Sequence, residues 1–143
     1  MTPEECLAIY GDAWFEADPG HRVELLRRCC TEDVLFVDPR LGRLRGIAAV
    51  SDMIGEYRGL MAGAEARATP TEVTATGRSG GGVGVELVTG VEQLHGFFRY
   101  SFVWSLPDGS KLGGTDFGEF AADGRMRLIT VFPSTTDFPV RGA

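Results

Sequence analysis

Residues 33–40 read Asp33-Val-Leu-Phe-Val-Asp38-Pro39-Arg40. Valine and phenylalanine in a short run favour a strand, and this one runs straight into an acid, a proline and a base. An aspartate beside apolar neighbours, just before a rigid proline, is poorly explained by packing alone. It either caps the turn that follows or presents a carboxylate to a pocket. A second acid, Asp116, sits far downstream in Gly113-Gly114-Thr115-Asp116-Phe117. The expectation is one small domain whose pocket holds both acids.

The bulk composition is compatible with this. A chain of 143 residues is long enough for one domain with its own core, without disulfides or metal. At 43% hydrophobic and 24% charged residues, wholesale disorder is not expected. The net charge is −6, and Lys111 is the single lysine. Nucleic acids and anionic membranes need clustered positive charge, so neither is an expected partner. Cys6, Cys29 and Cys30 show no zinc-type spacing and read as small buried hydrophobes. No segment has signal-peptide or membrane-span character, and a cytoplasmic protein is the default expectation.

Working outward, Thr2-Pro3-Glu4-Glu5 is a helix start, with Thr as N-cap and Pro at the first position. Leu7, Tyr10 and Trp14 follow at helical spacing to about Ala17. Asp18-Pro19-Gly20 ends that helix and starts a second, His21 to Cys30. The second helix turns Val23, Leu25, Leu26 and Cys29 inward and leaves Arg22, Arg27 and Arg28 in water. Thr31-Glu32-Asp33 is read as the turn into the strand Val34 to Asp38, and Leu41 to Gly46 as a loop. A third helix runs from Ile47 to about Met61, with Val50, Met53, Ile54 and Tyr57 on one side.

Strands follow: Thr71 to Thr76, Val85 to Thr89, Leu94 to Leu106, Lys111 to Phe120 and Arg125 to Phe132. Turns at Pro107-Asp108-Gly109 and Asp123-Gly124 separate the last three. The glycine-rich stretch 77–84 lacks the Lys-Ser/Thr ending of a phosphate loop and reads as a hairpin connection. Residues about 3–133 make the core and 134–143 a loose tail. Helices followed by hairpin-linked strands read as α+β. The mostly antiparallel sheet twists and curls, and three helices across its mouth make a cone with a cavity.

Alternation in the long strand sets Phe98, Tyr100, Phe102 and Trp104 against Phe97, Arg99, Ser101 and Val103. The first set reads as pocket wall, together with Tyr10, Trp14, Phe36 and Ile54. His95 and Arg99, four residues apart on that strand, share a face, and either present two polar groups to a ligand or lie on the outer face or in a subunit contact.

The helix order, the Val37-Asp38-Pro39 strand end, the Gly46-Ile-Ala-Ala-Val50 helix entry and the Gly114-Thr-Asp116-Phe to Asp123-Gly124-Arg125 hairpin carry a resemblance. Over about residues 3–133 the chain resembles the nuclear transport factor 2-like (cystatin-like) superfamily, in its SnoaL-like branch. Ketosteroid isomerase, the cyclase SnoaL and limonene epoxide hydrolase share that fold. The resemblance implies that Asp38 sits where the isomerase has its general base. It likewise places Asp116 at the isomerase's protonated, hydrogen-bond-donating acid, an arrangement that is a standard example of pKa tuning. Gly11 falls at the isomerase's oxyanion-binding tyrosine, with Tyr10 and Trp14 nearby, and Gly114 falls at the hydrolase's arginine. Two functions from different classes remain open. One is isomerase- or cyclase-type chemistry on a small hydrophobic carbonyl compound, with epoxide hydrolysis as a variant. The other is non-catalytic binding of a small molecule. Neither needs a metal or cofactor. The resemblance also implies a homodimer paired through the open sheet face.

Overall fold

A computed structural model describes residues 1–65, 84–105, 109 and 111–134. Three helices, α1 (Pro3–Phe15), α2 (Pro19–Cys29) and α3 (Ile47–Glu65), pack against a sheet of seven strands. The strands are β1 (Cys30–Asp38), β2 (Gly42–Arg45), β3 (Gly84–Leu87), β4 (Glu92–Leu94), β5 (Phe97–Ser105), β6 (Lys111–Phe120) and β7 (Met126–Pro133). Their order is β2-β1-β7-β6-β5-β3, with β4 also on β5. All pairings are antiparallel except β1 with β7. The class is α+β, and the sheet curls without closing. Irregular registers between Cys30 and Leu35 and between Glu119 and Phe120 contribute to the curl, because an extra residue bends and twists a strand. Among the described residues, no helix is long and apolar enough to cross a membrane.

Local chemistry sets the helix starts. Thr2 and Glu5 form a reciprocal capping box on α1. Asp18 caps α2 through the His21 N–H. Leu26, Cys29, Val34, Val50, Met53, Ile54, Phe98, Met126 and Ile129 fill the core between helices and sheet. The three cysteines are free and buried.

Several boundaries differ from the sequence reading, each for a local reason. Strand β1 begins at Cys30, where Thr31-Glu32-Asp33 is read as a turn; those polar residues lie on the irregular part of the β1–β7 pairing. The loop 41–46 contains β2, an exposed edge strand whose arginines hide its β character. The long strand from Leu94 is broken after one residue. His95 and Gly96 both have positive φ, 49° and 87°, and make a two-residue hairpin between β4 and β5. His95 therefore lies in a turn, off the strand that carries Arg99, and the pair shares no strand face. Arg99 is exposed and bonded to Glu92 at 2.7 Å. Arg22 is buried instead of wet, because its Nε donates to Ser51 Oγ at 3.0 Å and its guanidinium to the Glu16 carbonyl at 2.9 Å. Those bonds tie α2 to α3 and to the end of α1. The strand read at 71–76, most of the glycine-rich stretch, residues 107 and 108 and the tail from 135 lie outside the described residues.

The β5–β6 register explains two glycines. Phe98 faces Gly118 and Phe102 faces Gly114, with Tyr100 opposite Asp116 between them. Each ring lies over a residue without a side chain. A Cβ at Gly118 would run into the Leu128 carbonyl and the Phe98 ring. Backbone cannot yield as a flexible side chain can, so Gly118→Ala is expected to destabilise by about 2 kcal/mol or more. Urea denaturation checks this, and an unchanged midpoint would contradict the packing described.

Candidate functional site

A cavity of about 420 Å³ lies between α1, the end of β1, α3 and the inner face of the sheet. This is within the size range of small-molecule sites. Helix α1 contributes Leu7, Tyr10, Gly11 and Trp14, strand β1 Phe36 and Asp38, and helix α3 Tyr57. The sheet adds Tyr100, Phe102, Trp104, Leu112, Asp116 and Val131. No Arg, Lys or His is among the lining residues described, so neither acid has a cation across the cavity. Among the described residues, no group of three or more His, Cys, Asp or Glu could hold a metal ion.

The walls are rigid aromatic surfaces. Trp14 meets Trp104 edge-on at 5.5 Å, Tyr57 at 5.7 Å and Tyr10 edge-on at 6.4 Å. This joins α1 to α3 and β5 through one ring, in geometries aromatic pairs prefer.

Asp38 stands at the end of β1 and is 4% exposed. Its Oδ2 accepts the backbone N–H groups of Arg40 (2.9 Å) and Leu41 (2.7 Å). Pro39 has no N–H to offer, so the chain turns back to supply the next two. The Tyr57 hydroxyl donates to Oδ1 at 3.0 Å and lies 3.3 Å from Oδ2. Asp38 thus caps its turn while also lining the cavity.

Asp116, in the middle of β6, is 5% exposed and has a different environment. Tyr100 Oη donates to its Oδ2 at 2.6 Å, and its Oδ1 is buried with no partner. Burial pushes the carboxyl up to about 7, against the smaller opposing effect of the Tyr100 bond. Burial, and then the nearby Asp116, also raise Tyr10 and Tyr100 well above the ordinary phenol range. Both phenols therefore remain donors at any physiological pH.

Of the residues singled out in the sequence, Tyr10, Trp14, Phe36, Asp38, Tyr100, Phe102, Trp104 and Asp116 line the cavity. Ile54 does not; it is fully buried in the core beneath α3. The helix passes from core to cavity along its length, so Tyr57, nearly one turn later, reaches the space that Ile54 misses. Tyr57 is the functional-looking group the sequence reading assigned only to a helix face. Leu7, Leu87, Val91, Leu112 and Val131 are further apolar contributors visible only in three dimensions.

No family model matches the sequence, and no curated protein does. Solved structures are similar over most of the chain. A SnoaL-like family protein from Agrobacterium tumefaciens, provisionally called an isomerase, superposes with a TM-score of 0.69 at 24% identity, covering 91% of this chain and 95% of its own. An NTF2-like protein of unknown function from Exiguobacterium sp. 255-15 gives 0.58 at 16% identity, over 92% and 99%. A protein of unknown function with a cystatin-like fold from Xanthomonas campestris gives 0.59 at 18% identity, over 98% and 95%. The chain has the nuclear transport factor 2-like fold, of which the SnoaL-like proteins are one branch.

Proposed function

We propose that this nuclear transport factor 2-like chain uses its cavity for acid–base chemistry on a small hydrophobic carbonyl compound, as an isomerase or cyclase. Asp38 takes a proton from the carbon beside the carbonyl. Asp116, in its neutral form, donates a hydrogen bond to the oxygen as negative charge develops there. The observation that carries the reading is the contrast between two buried carboxyls on one apolar space. Asp38 accepts three hydrogen bonds. Asp116 has a single phenol partner, a raised pKa and an unpartnered oxygen. An acid held neutral by burial, beside a second carboxyl held by backbone N–H groups, is the arrangement base-plus-donor catalysis requires.

The test is α-proton exchange of β-tetralone into D2O, followed by NMR, with β-naphthol as a competitor that mimics the enolate oxygen. Acceleration above buffer, suppressed by β-naphthol, supports the reading. Binding of β-naphthol with no exchange on any of a panel of hydrophobic ketones would favour a non-catalytic binding protein. That second reading has its own support, since the backbone bonds of Asp38 fit a turn cap without catalysis.

Chain pairing belongs to the same proposal. On the outer face of the sheet Phe97 stacks on Phe117 at 5.6 Å, and exposed Phe132 lies on the same face by register. Val103, also on that face, is already buried within the chain. An apolar face of this kind suits a second copy. Light scattering at micromolar concentration is expected to give a dimer, and Phe117→Glu a monomer. A monomeric wild-type protein would contradict the pairing.

A further inference from the structure

The lone pairs of Asp38 are unevenly used. A carboxylate offers about four acceptor sites. On Oδ2 both are occupied, by the Arg40 and Leu41 N–H groups. On Oδ1 only the Tyr57 hydroxyl is a partner, at 3.0 Å. One acceptor site on Oδ1 is therefore left over, on a residue that lines the cavity.

Besides its bond to Asp38, Tyr57 is held from two sides. Its ring packs on Trp14 with centroids 5.7 Å apart. The Arg40 guanidinium lies 5.0 Å from its centroid, and Arg40 in turn faces Glu56 at 3.7 Å. The same Arg40 gives its backbone N–H to Asp38. The titratable and charged groups around Asp38 are thus Tyr57 and Arg40, with Glu56 behind Arg40, and Glu4, Tyr10, Tyr100 and Asp116 elsewhere on the cavity wall.

We infer that Tyr57 is the positioning residue of the base: its hydroxyl fixes the carboxylate plane of Asp38 so that Oδ1, and not Oδ2, receives the substrate proton. This rests on the acid–base reading above. Tyr57 moves no proton itself. The carbon–hydrogen bond of the substrate breaks, its electron pair passes into the enolate, and the proton lands on Oδ1 while Tyr57 keeps its own. The proton then returns from Oδ1 to the same carbon or, where a β,γ double bond makes the intermediate a dienolate, to the γ carbon, and Asp38 is restored.

Tyr57→Phe removes the donor and keeps the ring against Trp14 and Arg40. The first readout needs no turnover. In protein labelled with ¹³C at the aspartate carboxyls, the Asp38 carboxyl resonance at neutral pH is expected to shift in Tyr57→Phe, because the hydrogen bond from the Tyr57 hydroxyl to Oδ1 is lost. An unchanged resonance would overturn the inference. The second readout is β-tetralone exchange. There, kcat is expected to fall about tenfold, as for a slightly misplaced base, with KM within about twofold. Affinity for β-naphthol is expected to stay unchanged, since Asp116 is intact; a general collapse of the site would lower it and would overturn the inference. Asp38→Asn run alongside separates the two failures. If it is inactive while Tyr57→Phe behaves as wild type, the base reading stands and the role of Tyr57 falls. If Asp38→Asn exchanges protons at the full rate, the base reading itself falls, and with it any need to position Asp38.

Discussion

Replacing Asp38 by Asn is expected to reduce proton exchange about a thousandfold while leaving the fold intact. The size is that of losing a positioned general base. The fold survives because the amide oxygen of Asn can still accept the Arg40 and Leu41 N–H groups that Oδ2 accepts now. The amide nitrogen would then face Tyr57 Oη, which can accept as readily as it donates. Ligand affinity is expected to change little, since the shape is retained. Parallel measurement of exchange rate, thermal stability and β-naphthol binding checks all three. A variant that keeps a tenth or more of the wild-type rate would show that Asp38 only caps its turn.

Asp116→Leu is expected to cost on the order of a hundredfold in rate, because it removes one donor to the developing oxyanion. Asp116→Asn is milder, since an amide N–H can still donate from nearly the same place. The expected order of damage is therefore Asp38→Asn, then Asp116→Leu, then Asp116→Asn. Small and equal effects from all three would mean that the acids merely shape the cavity. Asp116 also has a pH signature. Its neutral form is the useful one, so the rate falls as pH rises through about 7, the folded-state value. Stability follows the same direction. The ordinary value is 3.8, so between that pH and about 7 the folded protein holds a proton that the unfolded chain has released. The contribution is complete below 3.8 and is lost as pH rises to about 7, on the order of 4 kcal/mol in all. Asp116→Asn is expected to abolish this slope, and so to be more stable than wild type at alkaline pH although less active. Denaturation across that range shows it.

Much of the site was legible because period-two alternation is a strong signal. Alternation set Phe98, Tyr100, Phe102 and Trp104 on one face, whereas Asp116 was placed by the family resemblance and only the β5–β6 register sets it opposite Tyr100. The Asp38-Pro39 pair marked the other carboxylate because burial next to proline needs a reason. What stayed hidden depended on register or on rotation of an element in space. Gly114 and Gly118 look like weak points of a strand until the rings of Phe102 and Phe98 are seen to lie over them. The bond between Tyr57 and Asp38 joins residues 19 positions apart and needs α3 to be set down at one angle. Ile54 and Tyr57 share a helical stripe, and only the passage of α3 from core to cavity separates their roles. Strands β2 and β4 were missed because an edge strand rich in Arg and a His-Gly turn carry weak patterns.

The central claim is that Asp116 is a neutral donor beside an apolar cavity. Carboxyl NMR of the free protein tests it most directly, with Asp116→Asn used to assign the resonance. Asp116 is expected to titrate with a midpoint near 7, moving higher still when β-naphthol occupies the site and takes the hydrogen bond of the carboxyl. A midpoint at the ordinary aspartate value near 4, unmoved by β-naphthol, would contradict it.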